Sequence, residues 1–230
     1  MPTDYHTIIY LIVGLLIGVI LHEYMHGRAA DHFGDHTARA AGRLTLNPVP
    51  HIDPFGTVIM PLALLLITRG SWMFGYAKPV PVNPFFMKKP RRDMVFVSLA
   101  GPAPNLAIAA VVLVVGLIVH SAGVAASQIV VETSGGLSRN MTQLFILLFT
   151  IAEINIILCF FNLIPIPPLD GSHVVEFFMS HETRLTYERV APFGFVIILV
   201  LFYLAGSYFI KALSPIFNLM MAAWGTGLRF

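Results

Sequence analysis

The chain has 230 residues, of which 57% are hydrophobic and 11% charged, with a formal net charge of +2. An average soluble domain is about 25% charged, so this composition points to a single domain solvated by lipid. It offers no basic face large enough to neutralise many phosphates, which excludes nucleic acid as a partner, and its single cysteine, Cys159, excludes internal disulfides and a thiolate metal site.

Taken in chain order, the first apolar run, Ile8–Gly27, is long enough to cross a hydrocarbon core as a helix. No lysine or arginine precedes it and no small-residue cleavage site follows, so it is expected to remain as an anchor. Residues 42–47 alternate polar and apolar and stop at Pro48, which predicts an edge strand over Arg43, Leu44, Thr45, Leu46 and Asn47. Phe55–Thr68 is too short to span and predicts a re-entrant or interfacial segment. Residues 77–84 are too rich in proline for a central strand and predict a second edge or a loop. Met94–Val119, Met141–Ile164 and Val190–Leu213 each reach spanning length, whereas Pro215–Ala223 does not. The expected architecture is one polytopic α-helical membrane domain over 1–230. It has four long transmembrane helices, one or two short re-entrant or interfacial segments and a small membrane-associated β element.

Basic residues set the expected orientation. Arg28, Arg39 and Arg43 follow the first run; Arg69, Lys78, Lys88, Lys89, Arg91 and Arg92 precede the second; Arg184 and Arg189 follow the third. By the positive-inside rule the first and third helices end in the cytoplasm and the N-terminus faces outward, provided Phe55–Thr68 dips in and returns. A rise of 1.5 Å per residue then puts His22 about 21 Å from the outer boundary, roughly 10 Å below the cytoplasmic one.

His22-Glu23-Tyr24-Met25-His26 reads H-E-x-x-H at that depth. Two histidines four apart share a helix face and can hold one zinc, with the glutamate beside them to activate a water. Ionisable groups are costly inside a bilayer, so three within five positions call for a chemical reason. A third ligand is available in Asp170, which follows Asn162-Leu163-Ile164-Pro165-Ile166-Pro167-Pro168-Leu169. Three prolines there stop the helix, and irregular backbone at that depth requires a protein-lined or watered cavity. Two imidazoles and one carboxylate leave a fourth zinc position for water. Asn105 and Asn162, beside proline-marked irregularities, are candidates to stabilise an oxyanion or to be interhelical glue.

H-E-x-x-H on one helix, N-x-x-P-x-P-P-L-D-G at the end of a later one, and Gly101-Pro102-Ala103-Pro104-Asn105 between them resemble the site-2 protease family of intramembrane zinc metalloproteases. The likeness covers roughly residues 8–178, in the compact form without a PDZ or CBS domain. It implies one zinc per chain on His22, His26 and Asp170, with Glu23 as catalytic base. It also implies substrate contacts at Asn105 and Asn162, a small membrane-associated sheet, and a membrane-spanning protein as substrate. The length and the lack of a targeting segment suggest a prokaryotic plasma membrane, with the active site towards the cytoplasm. The competing reading is a membrane metal transporter using the same three residues. Transit predicts ligands spread across the bilayer, however, and has no use for a glutamate between the histidines.

Of the remaining polar residues, Asn155 reads as glue between helices, and Glu153 is expected to find an interior partner such as Asn155. His173 is a candidate to support Asp170. His32, His36 and His51 read as solvated loop residues, and His6, His120 and His181 as interfacial ones.

Overall fold

The computed structural model describes residues 5–67, 75–129 and 135–225, and these are overwhelmingly helical. In chain order the helices are α1 (Tyr5–His32), α2 (Thr37–Ala40), α3 (Met60–Ile67), α4 (Pro90–Ala100), α5 (Pro102–Ile129), α6 (Gly135–Asn162), α7 (Asp170–Phe178), α8 (His181–Val190) and α9 (Gly194–Ala223). Among the described residues, four stretches are long and apolar enough to cross a membrane: Ile8–His32, Pro90–Ala122, Met141–Asn162 and His181–Ala223. These carry the four expected spans. Thr68 and Arg69 lie outside the described residues.

Without a hydrophobic force between helices in lipid, close backbone approach has to come from small residues. Gly14 and Gly18 supply it on α1: a Cβ at Gly14 would lie 3.2 Å from the Ile151 backbone of α6, and one at Gly18 would lie 2.8 Å from Leu158. α5 packs against both helices, completing a three-helix core. α9 meets this core through bulky side chains. Leu213, Phe217, Met220, Met221 and Trp224 pack with Ala109, Val112, Phe149, Ala152 and Ile156. Phe161 adds edge-to-face contacts with Phe202 and Phe209. The Trp224 indole N–H donates to Leu113 O at 3.1 Å, satisfying the one polar atom of that ring.

Pro215–Ala223 is not a separate short segment but the last third of α9, which runs unbroken through Pro215. Proline removes the N–H that would serve the carbonyl four residues earlier, that of Lys211. The Ser214 hydroxyl donates to Lys211 O at 2.8 Å instead, so the helix continues. Phe55–Thr68 is helical as far as described, a π-helical stretch Pro54–Ile59 passing into α3.

The expected β element does not form. Neither Arg43, Leu44, Thr45, Leu46 and Asn47 nor residues 77–84 make a strand. Gly42 turns the chain at φ 65°, and side-chain bonds curl the backbone: Asn47 N donates to Thr45 Oγ1 and Val49 N to Asn47 Oδ1. Across from it, Pro79, Pro81 and Pro84 lack the donors a ladder needs. Charged side chains hold the extended segment instead. The buried Arg43 donates to Lys78 O at 2.7 Å, Glu23 Oε2 accepts Val80 N–H at 2.7 Å, and the wholly buried Asp35 accepts Asn83 N–H at 2.6 Å. Residues 77–83 form a strap across the end of α1.

Candidate metal centre

His22 and His26 project from one face of α1, their rings edge to face with centroids 4.5 Å apart. Asp170 arrives from the first turn of α7. It is delivered by a tight reversal after α6, in which Gly171 is required because a Cβ there would overlap Leu163 O. Tyr187 of α8 ties that reversal by donating to Pro165 O at 2.9 Å, and Gly194 at the start of α9 abuts Pro167 O. At the other end of α7, Arg91 of α4 donates to Phe177 O at 2.8 Å and also to Glu176 O and Met179 O, closing the helix terminus.

Asp170 Oδ2 lies 3.1 Å from His22 Nε2 and Oδ1 lies 3.2 Å from His26 Nε2, while the two Nε2 atoms are 3.0 Å apart. The far side of each ring is engaged. His26 Nδ1–H donates to Val97 O at 2.7 Å and His22 Nδ1–H to Asn105 Oδ1 at 2.9 Å. With the ring protons spent there, both Nε2 atoms turn lone pairs towards a carboxylate. Three acceptors facing one another repel unless a cation lies among them. Among the described residues this trio is the one group of three His, Cys, Asp or Glu side chains placed to hold a metal.

Two further observations agree with a cation there. Asp170 Oδ2 is buried without a hydrogen-bond donor. Gly101, from the Gly-Pro turn between α4 and α5, leaves a cradle: a Cβ would overlap His26 Nε2 and stand 2.8 Å from His22 Nε2. Burial opposes ionisation of Asp170; when a proton takes the cation's place, hydrogen bonding with His22 and His26 nonetheless holds its carboxyl down to about 2. Two nitrogens and a carboxylate oxygen suit zinc, which takes such sets with a fourth position left open.

Glu23 lies next to His22 on α1, its carboxylate tethered to the strap at Val80. Asn105 is behind His22, its amide nitrogen donating to Gly18 O and to Asn155 Oδ1. Asn162 Nδ2 donates to Leu158 O of its own helix. Asn155 is engaged by Asn105 and Ile151, and the Glu153 side chain has no hydrogen-bond or ion-pair partner among the described residues. His173 faces Glu176 at 3.5 Å. His51 is buried, contrary to a solvated loop position, with Nε2 bonded to Thr45 O, and His36 is paired with Asp31. Neither Gly101 nor Arg91 stands out as functional in the sequence: the glycine belongs to G-P-x-x-N but offers no side chain, and the arginine reads as one more cytoplasmic cation.

Residues 10–205 match the model of peptidase family M50. The chain is 38% identical over 210 residues to YwhC of Bacillus subtilis, named as a candidate zinc metalloprotease, covering 91% of this chain and 86% of that one. It is 31% identical to Rip2 of Mycobacterium tuberculosis over 194 residues and 32% identical to Rip2 of Mycolicibacterium smegmatis over 193, both also named as candidate zinc metalloproteases. In those two comparisons 84% of this chain is covered, against 66% of the relative. No solved structure matches the chain. The chain therefore belongs to peptidase family M50, the site-2 proteases, and is a membrane metalloprotease.

Proposed function

We propose that the chain is an intramembrane endopeptidase that holds one zinc ion on His22, His26 and Asp170 and cleaves membrane-spanning protein segments near their cytoplasmic ends. The observation that carries this reading is the convergence of three lone-pair donors on a cradle kept open by Gly101. Zinc in such a site polarises the scissile carbonyl and lowers the pKa of water. Glu23, adjacent to His22, accepts the proton of the attacking water and passes it to the leaving amine. Asn162, at the end of α6, is the remaining candidate to contact the substrate backbone, since the Asn105 amide serves His22 and its neighbours.

Orientation follows from charge. Arg28, Arg39 and Arg43 at the end of α1 and Lys88, Lys89, Arg91 and Arg92 at the start of α4 lie at the Asp170 end of the bundle, which supports a cytoplasmic position for the site in a prokaryotic plasma membrane. The strap and the Pro165–Pro168 reversal put irregular backbone around the site, which at membrane depth is tolerated only where protein or a watered cavity surrounds it.

The test is reconstitution in proteoliposomes with membrane-spanning substrates. Glu23→Gln is expected to keep zinc and lose cleavage by about 10²- to 10⁴-fold. Equal cleavage by wild type and variant, with zinc bound in both, would remove the assignment of Glu23 as base. Zinc flux across the vesicle that survives the substitution would favour transport instead.

A further inference from the structure

His22 and His26 are oriented by groups of different kinds. His26 Nδ1 faces the Val97 carbonyl, which only accepts, so that ring has one permitted tautomer. His22 Nδ1 faces the Asn105 side chain, and an amide is ambivalent. Rotated by half a turn, Asn105 would present Nδ2 to His22 and demand a ring with its proton on Nε2, the atom that faces the centre. Something must therefore fix the amide.

Asn105 Nδ2 donates to Gly18 O at 3.1 Å and to Asn155 Oδ1 at 2.9 Å. The Asn155 amide is fixed in turn, because its Nδ2 donates to Ile151 O at 2.8 Å, a carbonyl that only accepts. Both asparagines are 0% exposed, so water cannot take over either role. Space for the pair is created by Gly18, where a Cβ would stand 2.7 Å from Asn155 Oδ1 and 3.1 Å from Asn105 Nδ2.

We propose that Asn155 of α6 is a positioning residue for the metal centre: through Asn105 it locks His22 in the tautomer that leaves Nε2 free for a cation. A backbone carbonyl of α6, acting through two amides, thus joins the Gly18 carbonyl of α1 in dictating which nitrogen of the His22 ring carries the proton. The inference rests on His22 being a metal ligand. A packing role for Asn155 makes a different prediction, since packing is indifferent to the direction of the amides.

The experiment uses full-length, metal-free protein in lipid nanodiscs with 15N-labelled histidine. The His22 signals are identified by their loss in His22→Gln. Wild type is expected to show a protonated Nδ1 and a bare Nε2 at His22, and Asn155→Leu a mixture of tautomers. Zinc affinity, measured by chelator competition, is expected to fall about 10-fold in Asn155→Leu. Gly18→Ala is expected to act in the same direction. Adding Asn105→Asp to Asn155→Leu is expected to recover much of the loss, because a carboxylate accepts from Nδ1–H in either rotation. An unprotonated Nδ1 at His22 in the wild type overturns the proposal without any variant, and so does Asn155→Leu that melts earlier yet binds zinc as wild type does. Wild-type protein that binds no zinc overturns the premise itself, a result readily told apart from either.

Discussion

A single methyl group at Gly101 would occupy the space between His22 and His26. Gly101→Ala is therefore expected to abolish zinc binding, read by metal content after purification, while the helices on either side still form, read by circular dichroism. The substitution separates folding from chemistry, because the added carbon enters the cradle and not a helix interface. Asp170 carries the pH dependence of the metal-free site. In acid, with a proton in the cation's place between the rings and the carboxylate, bonding to His22 and His26 holds the carboxyl down to about 2, below the ordinary 3.8, so its ionised form stabilises the fold above about pH 4 and that contribution is lost as pH falls towards 2. Acid unfolding of metal-free wild type and Asp170→Asn, followed by tryptophan fluorescence, should converge below that window and separate above it.

At the scale of elements, α7 is a short helix held at both ends. Its first turn carries Asp170 and its last carbonyls are closed by Arg91. Arg91→Ala is expected to weaken zinc binding by on the order of tenfold by loosening the α7 terminus, with Arg91→Lys recovering part of it as a single-point donor. The helices, and the three side chains that meet at the candidate centre, are the legible part of the sequence. The long apolar runs mark the spans, H-E-x-x-H carries its own helical spacing, and three prolines before Asp170 announce a broken helix. What stays hidden depends on groups distant in sequence. Alternation at 42–47 suggests pairing, but a strand needs partner donors, and Pro79, Pro81 and Pro84 withhold them. Pro215 suggests a helix end, yet the Ser214 hydroxyl replaces the missing donor. Asn155 reads as glue because its use depends on which helix faces which.

On the scale of the whole molecule, the candidate metal centre draws on three helices: α1 gives the histidines, α5 the asparagine behind His22, and α7 the carboxylate. A zinc ion binding only the folded arrangement stabilises it, by about 2.7 kcal/mol at a free concentration 100 times the dissociation constant. Chelation is accordingly expected to lower the melting temperature of wild type and to leave that of Asp170→Ala unchanged, measured by scanning fluorimetry in the same detergent. The strap adds a long-range tie of another sort. Val80 N–H donates to Glu23 across 57 positions of sequence, and the segment around it is tied at Lys78, by Arg43 and His51 O, and at Asn83, by Asp35. The Val80 amide is thus a built-in reporter on the carboxylate. Its 15N resonance should register any ligand that draws Glu23 away, and a ligand that displaces the strap would free this carboxylate in the same movement.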